Sequence, residues 1–249
     1  MSRLQAIDAT LPVSLQARDP FEDVAARLEA SSRAGDRWLA GYGKNKVRLD
    51  HLYRKALPWI LPGAKVLDLG CGIGLIGLLL ESRGLGNQTH GIEWDPAKAR
   101  FAQRMIEGSG SNQVVCGHLL GETWPDCTVV TALDVLHYFS PEQQRALIFR
   151  IGSHLPKGGR LLLRVMDGTT GGMAIFTRFC ERLAVQFGWN LAPSVHWRSL
   201  AELRKDLSDA GFRRLPNPSI ADSLSGNQIL VCEKPTRASG APALLARCG

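Results

Sequence analysis

Short apolar runs alternate with longer segments that carry apolar residues on one face. The runs are predicted strands, because four to seven apolar residues bounded by glycine or proline are typical of buried strands. Segments with apolar positions three and four residues apart, opened by Asp-Pro or Ser-x-x-Glu, are predicted helices. The predicted strands lie near 65–69, 89–93, 113–116, 128–133, 160–165, 212–215 and 228–233. The predicted helices lie near 21–33, 45–58, 75–83, 141–153, 173–187 and 200–210, with one more opening at Asp95-Pro96.

This alternation of strand and helix predicts an α/β fold with a parallel sheet covered by helices on both faces. The last two predicted strands are close in sequence and therefore suit antiparallel pairing. We predict three regions along the chain. They are an N-terminal helical cap segment over 1–44, a main domain over 45–234 with an insertion at 168–198, and a disordered tail over 235–249.

Composition places the chain among ordinary globular proteins, since 45% of its residues are hydrophobic and 21% are charged. Residues 1–19 lack the apolar run of a signal peptide, and the longest apolar stretch, 75–80, is too short to cross a membrane. We therefore expect a cytoplasmic protein with no membrane span. None of the six cysteines forms a C-x-x-C pair, so no metal site is predicted.

The chain is basic, with a formal net charge of +7 and a pI near 9.3. This charge permits an acidic partner, such as nucleic acid, an anionic substrate or an acidic carrier protein. Blocks of Lys and Arg do not exceed two or three residues, which favours scattered surface charges over a nucleic-acid-binding arm.

A glycine-rich turn, Gly70-Cys71-Gly72-Ile73-Gly74, joins the first predicted strand to a helix. Such a turn indicates a nucleotide-type ligand at the carboxyl ends of the strands of an open sheet, but it does not say which ligand binds. Asp68 precedes the turn, and a carboxylate there opposes a pyrophosphate and suits an ammonium group. S-adenosylmethionine carries an ammonium group and no phosphate, so it fits better than a dinucleotide.

Two residues at the end of the second predicted strand extend this site. Glu93 can accept hydrogen bonds from both ribose hydroxyls of a nucleoside. Trp94 can pack on the face of the adenine ring.

The segment Val66-Leu67-Asp68-Leu69-Gly70-Cys71-Gly72-Ile73-Gly74 resembles the first motif of the class I S-adenosylmethionine-dependent methyltransferases. The resemblance extends over about residues 45–234. The further matching segments are Gly91-Ile92-Glu93-Trp94-Asp95, Ala132-Leu133-Asp134-Val135-Leu136-His137, Leu155-Pro156-Lys157-Gly158-Gly159 and Leu207 to Phe212. The ending Asp-Ala-Gly-Phe is typical of the small-molecule branch.

This resemblance implies a Rossmann-like, doubly wound, seven-stranded sheet that is mostly parallel and has an antiparallel last strand. It also implies S-adenosylmethionine as cofactor and S-adenosylhomocysteine as product. The implied cofactor-binding residues are Asp68, Gly70, Cys71, Gly72, Glu93, Trp94, Leu119 and Asp134. The family usually has an acid for the adenine amino group where this chain has Gly117-His118. Either His118 takes that place or the backbone near Leu119 does.

Four residues are candidates for the catalytic step. Asp134 follows the fourth predicted strand and is expected beside the sulfonium, or it is a structural carboxylate. His137 and His196 are candidate general bases, each with a structural role as the alternative. Arg164 interrupts an apolar strand, so it requires a partner, either Asp134, Asp167 or an anionic substrate.

Tyr42 lies in Gly41-Tyr42-Gly43, within the segment that often caps the cofactor site in this family. It is expected either to close over the methyl donor or to pack without contacting it.

We expect methyl transfer to an oxygen or carbon of a small metabolite, aromatic, anionic or bound to an acidic carrier, in a bacterial biosynthetic pathway of secondary metabolism. One alternative is an RNA methyltransferase, although no Asn/Asp-Pro-Pro-Tyr motif follows the fourth strand. A second is a protein that binds S-adenosylmethionine without catalysis, and a third is a nicotinamide-dependent oxidoreductase.

Overall fold

A seven-stranded sheet forms the centre of the computed structural model, which describes residues 19–31, 35–166, 195–216 and 227–236. The strands are β1 (Lys65–Leu69), β2 (Gln88–Glu93), β3 (Asn112–Cys116), β4 (Val129–Leu133), β5 (Arg160–Met166), β6 (Arg213–Arg214) and β7 (Asn227–Glu233). Their order is β3-β2-β1-β4-β5-β7-β6. All pairs from β3 to β5 are parallel, whereas β7 runs antiparallel to both β5 and β6. The predicted fold class is confirmed.

Helices cover both faces of this sheet. They are α1 (Pro20–Ala30), α2 (Arg37–Leu49), α3 (His51–Ala56), α4 (Leu75–Ser82), α5 (Pro96–Met105), α6 (Pro141–His154) and α7 (Leu200–Asp209). Successive strand residues point to opposite faces. Val66 thus packs in the core beneath α1 to α5, while Leu67 packs in the core beneath α6 and α7.

Local capping explains where several of these helices begin and end. The Asp19 side chain accepts a hydrogen bond from the Phe21 amide, with Pro20 in the first helical position. Ser199 and Glu202 form the predicted capping box of α7. Gly84 and Gly211 have positive φ just beyond α4 and α7, as expected of glycines that end helices.

The prediction of one helix over about 45–58 is wrong, because α2 begins at Arg37 and Asp50 separates it from α3. Gly41 and Gly43 lie inside α2, although glycine within a helix costs about 1 kcal/mol relative to alanine. Gly43 is a packing position, since a Cβ there would lie 2.4 Å from Cδ1 of Ile73. The predicted boundary between residues 44 and 45 therefore falls inside α2.

Several other predictions concern residues outside the described ranges. They are the helix at 173–187, Asp167, most of the 168–198 insertion and the tail from residue 237 onward. Within the described ranges, no helix is both long and apolar enough to cross a membrane.

Candidate active site

A cleft opens at the carboxyl ends of the parallel strands, where β1 and β4 lie side by side. The connections from these two strands leave in opposite directions, which is where ligands bind in open α/β sheets. The cleft has a volume of about 880 Å³ including its open mouth. Its described lining includes the predicted residues Gly70, Cys71, Gly72, Glu93, Trp94, Leu119, Asp134 and Tyr42.

The glycine turn forms one wall of this cleft. The amides of Gly70 and Cys71 donate to the carbonyl of Ile92, 2.9 and 3.1 Å away, which ties the turn to β2. Gly70 has φ of +69°, and a Cβ there would lie 2.4 Å from Val135 Cγ2. Gly72 also has positive φ, +58°, but no described atom lies within 4 Å of the position its Cβ would take. The backbone at Gly72 is therefore open to a ligand in the cleft.

Glu93 is held rigidly opposite this turn. One carboxylate oxygen accepts from the Gly72 amide at 2.7 Å, and the other accepts from the Asp95 amide at 2.9 Å. Burial raises the pKa of Glu93, while these amides and the Lys98 ammonium lower it in part. Each oxygen keeps a lone pair, so the carboxylate can still accept hydrogen bonds from a ribose.

Asp68 is buried behind the turn, and it is not among the described residues that line the cleft. Its carboxylate accepts a hydrogen bond of 2.6 Å from the Thr131 hydroxyl. Burial raises the pKa of Asp68 to about 7, and the negative charge of Glu93 adds to the effect. A nearby positive charge would favour its ionised form, which is the property that an ammonium ligand requires.

Aromatic rings surround the end of the cleft beside Glu93. Trp94 lies 6.4 Å from Phe139 and 6.3 Å from His118, measured between ring centroids. His118 packs edge-on against Phe139, and its Nδ1 accepts from the Leu120 amide at 3.3 Å. Trp94, Phe139 and Leu119 line the cleft, whereas His118 is not among the described lining residues. The structure therefore places Leu119, but not His118, at the surface of the cleft.

Four charged side chains meet at the far wall of the cleft. Asp134 lies 2.7 Å from Lys46 Nζ and 3.0 Å from Arg164 Nε. Asp50 accepts a hydrogen bond from Arg164 and lies 3.8 Å from Lys46. Arg164 therefore has the internal partner that its burial requires, in Asp134 and also in Asp50.

Lys46 and Asp50 are site residues that sequence reasoning missed. Lys46 lies in the last turn of α2, and Asp50 follows the end of this helix four residues later. That spacing is a visible signal for an ion pair, but it is common on exposed helix faces and does not locate the pair.

The backbone and the electrostatics of Asp134 are both unusual. Among the described residues other than glycine, it alone has positive φ, +60°, a conformation that concentrates at functional sites. Burial by itself would raise the pKa of Asp134, but the charges of Lys46 and Arg164 outweigh burial and lower it to about 2. The carboxylate is ionised at neutral pH, and it is too weak a base to take a proton from an acceptor.

His137 lies outside this cleft, in a smaller pocket of about 240 Å³ beside it. Its ring stacks on Trp197, with centroids 4.4 Å apart and planes 16° from parallel. Burial lowers the pKa of His137 to about 4, although the charge of Asp134 opposes this change. The imidazole is therefore neutral at pH 7. The small pocket also contains Arg164 and His196, so three of the four predicted catalytic residues meet there.

Tyr42 lines the mouth of the main cleft, 43% exposed, and stacks on Trp38 at 5.8 Å. The Lys46 ammonium lies 5.8 Å from the centre of its ring. Within the described ranges, no group of three or more His, Cys, Asp or Glu side chains is arranged to hold a metal ion.

Comparison with known proteins places this cleft in a family. Residues 42–216 match the model of a family described as a methyltransferase domain. A ubiquinone biosynthesis O-methyltransferase from Xanthomonas campestris is 28% identical over 169 residues, covering 63% of this chain and 67% of that protein.

Two solved structures share the fold. An O-methyltransferase family 2 protein from Planctomyces limnophilus, in complex with apigenin, has a TM-score of 0.62 at 18% identity. The alignment covers 85% of this chain but only 65% of that one. A magnesium protoporphyrin IX methyltransferase from Synechocystis, with bound SAH, has a TM-score of 0.57 at 19% identity and covers 86% of this chain and 94% of that one. The chain belongs to the methyltransferase-domain family and is a class I S-adenosylmethionine-dependent methyltransferase.

Proposed function

We propose that this enzyme methylates an oxygen or carbon atom of a small metabolite in a bacterial biosynthetic pathway. The observation that carries the proposal is the order of groups along one cleft, with Glu93 and the aromatic rings at one end and Asp134 at the other. Two of the similar proteins support a small acceptor, since one is an O-methyltransferase of ubiquinone biosynthesis and the other was solved with apigenin.

The residues of the cleft fit the cofactor part by part. Glu93 would accept from the ribose hydroxyls, and Trp94 and Leu119 would hold the adenine. Gly72 leaves room for close approach of the ligand to the backbone. Asp134, with Asp68 behind the turn, supplies negative charge for the ammonium and sulfonium groups.

S-adenosylmethionine, when bound, would supply an electrophilic methyl group for in-line transfer to the acceptor atom. The protein's main task is then alignment. Asp134 is too acidic to serve as a base, and the pKa of Lys46 is raised well above its usual value, so Lys46 stays protonated. These residues suit an acceptor that is already nucleophilic, such as a phenolate or an enolate, whose own proton has gone to solvent.

Gly72→Ala tests whether the glycine turn holds the cofactor. A methyl group at the open face of Gly72 would meet the ligand, so we expect affinity for S-adenosylhomocysteine to fall by about 10–100-fold in calorimetry. Gly84→Ala is a matched control, because Gly84 has φ of +62° and equally open surroundings but lies outside the described cleft lining. Both variants should lose about 1–2 kcal/mol of stability from backbone strain. Equal affinities in the two variants would contradict the assigned cleft.

The acceptor itself can be found with a labelled methyl group. We expect transfer from labelled S-adenosylmethionine in a bacterial metabolite extract to yield a small labelled product by mass spectrometry. Loss of the label after nuclease treatment would instead favour RNA as the substrate. Tight binding without transfer to any component would favour a protein that binds the cofactor without catalysis.

A further inference from the structure

The small pocket beside the main cleft has a donor-rich wall that the proposed chemistry does not use. His137 follows β4, Arg164 lies in β5, and Trp197 and Arg198 enter from the segment before α7. The pocket thus lies at the carboxyl ends of β4 and β5, where the acceptor is expected. Asp134 connects the two sites, because it lines the cleft and contacts Arg164.

Three buried nitrogen atoms of this pocket lack a hydrogen-bond partner among the described residues. They are His137 Nε2, Trp197 Nε1 and Arg164 Nε. Arg164 Nε is within ion-pair distance of Asp134, but outside hydrogen-bonding geometry. Buried polar groups are nearly always paired, since an unpaired group costs about 1–3 kcal/mol. Trp197 Nε1 and Arg164 Nε can only donate, and His137 Nε2 donates in one of the two neutral tautomers, so the three atoms together suit a ligand with hydrogen-bond acceptors.

The charges of the pocket indicate which acceptor group fits. Its described lining contains two arginines, Arg164 and Arg198, and no carboxylate. Arg164 pairs with Asp50 and Asp134, and Arg198 pairs with Asp206 at 2.7 Å. None of these three carboxylates is among the described lining residues. The pocket wall presents cations and N–H donors, which favours an anionic oxygen group.

Hydrogen bonds hold the two rings in place. The amide nitrogen of Gln144, a side chain only 2% exposed, donates to the carbonyls of Phe139 and His196, each at 2.9 Å. The His196 amide donates to the His137 carbonyl at 2.7 Å. Trp197 is therefore fixed against His137, and the donors do not have to be ordered when a ligand binds.

We propose that this pocket binds a carboxylate group of the methyl acceptor, with Trp197 Nε1 and the Nε2–H tautomer of His137 as donors, in a wall that also contains Arg164 Nε. This assignment rests on the proposed function, and it narrows the acceptor to a carboxylate-bearing molecule. The pocket is small, about 240 Å³ including its open mouth, so it suits the carboxylate alone and not the whole acceptor. The rest of the acceptor then extends toward Asp134 and the methyl donor.

Indole NMR of the whole protein tests the site with benzoate as the probe. The chain has six tryptophans, so ¹⁵N-labelled tryptophan gives six indole signals, and Trp197→Phe identifies that of Trp197. We expect benzoate to shift this signal saturably, at constant ionic strength and with S-adenosylhomocysteine already bound. We expect calorimetry to show that Trp197→Phe binds benzoate about tenfold more weakly than the unmodified protein, as for a lost hydrogen bond to a charged group. Trp38→Phe, the same change at a tryptophan outside the described pocket lining, should bind benzoate normally.

Three outcomes would overturn the proposal. They are no saturable shift of the Trp197 signal, equal benzoate affinity in Trp197→Phe, and equal shifts by benzamide, which would show that negative charge is not recognised. Affinity for S-adenosylhomocysteine, measured on the same samples, separates these outcomes from failure of the proposed function. If the unmodified protein does not bind S-adenosylhomocysteine, the assignment of the cofactor cleft is wrong. If it binds S-adenosylhomocysteine but not benzoate, only the carboxylate site is wrong.

Discussion

Asp68→Asn is expected to stabilise the protein at pH 8 and to weaken cofactor binding. The Asp68 carboxylate is 3% exposed, and its contact with the Thr131 hydroxyl offsets only part of the cost of burying a charge. Asparagine keeps an oxygen that can accept this hydrogen bond and removes the charge. We expect a gain of roughly 1–3 kcal/mol in the free energy of unfolding at pH 8, measured by urea denaturation.

The gain should depend on pH in a defined direction. The pKa of Asp68 is raised from 3.8 to about 7 in the folded state, so folding favours the protonated acid. Stability is therefore highest below the unfolded pKa and falls as pH rises from about 4 to 7, by up to roughly 4 kcal/mol at about 1.4 kcal/mol per pH unit. The advantage of Asp68→Asn should be small at pH 4, intermediate at pH 5 and full at pH 8.

Cofactor affinity should change in the opposite sense. If the carboxylate faces the ammonium group, losing it costs at least about 1.5 kcal/mol, or roughly tenfold in the dissociation constant of S-adenosylhomocysteine. Asp126→Asn is the control, because Asp126 is exposed and precedes β4, so it lies near the amino end of that strand and away from the cleft at the carboxyl end. Unchanged affinity in Asp68→Asn would exclude Asp68 from the binding site, whatever happens to stability.

Much of the fold was predictable because its signals are local. The boundaries of β1 and α7 depend on apolar runs, on Ser199 and Glu202, and on Gly211, all read within one short window. The position of α2 was not predictable, because Gly43, one of its two glycines, is explained only by packing against distant residues. Gly43 contacts Ile73 and Leu28, which lie outside any local window.

The site shows the same division. Glu93 and the glycine turn follow from spacing along two neighbouring strands, and the structure brings them within hydrogen-bond distance. Lys46 could not be assigned in this way, since it reaches Asp134 across 88 residues. Arg164 was recognisable as needing a partner, but Asp50 was not, because only the fold places α2 over the end of β5.

Arg164→Met is expected to be the most destabilising of the proposed changes. Arg164 is 8% exposed and contacts two carboxylates, Asp50 and Asp134. Without its guanidinium, both carboxylates depend on the single ammonium of Lys46, which leaves one buried negative charge unmatched. Breaking a buried pair in this way typically costs about 3–5 kcal/mol of the free energy of unfolding. The loss can be measured as a lower midpoint of unfolding in guanidinium chloride.

A second substitution should restore part of this stability. Asp50→Asn removes the unmatched charge and keeps an oxygen that can accept from the Leu52 amide, the bond that caps α3. The double variant then retains the Lys46–Asp134 pair. We therefore expect it to lose about 1–3 kcal/mol less free energy of unfolding than the sum of the losses in the two single variants. Arg213→Met is the control, because its pair with Glu233 is exposed and should contribute less than about 1 kcal/mol. Additive costs, or an Arg164→Met cost no larger than that of Arg213→Met, would show that the four charges do not act as one network.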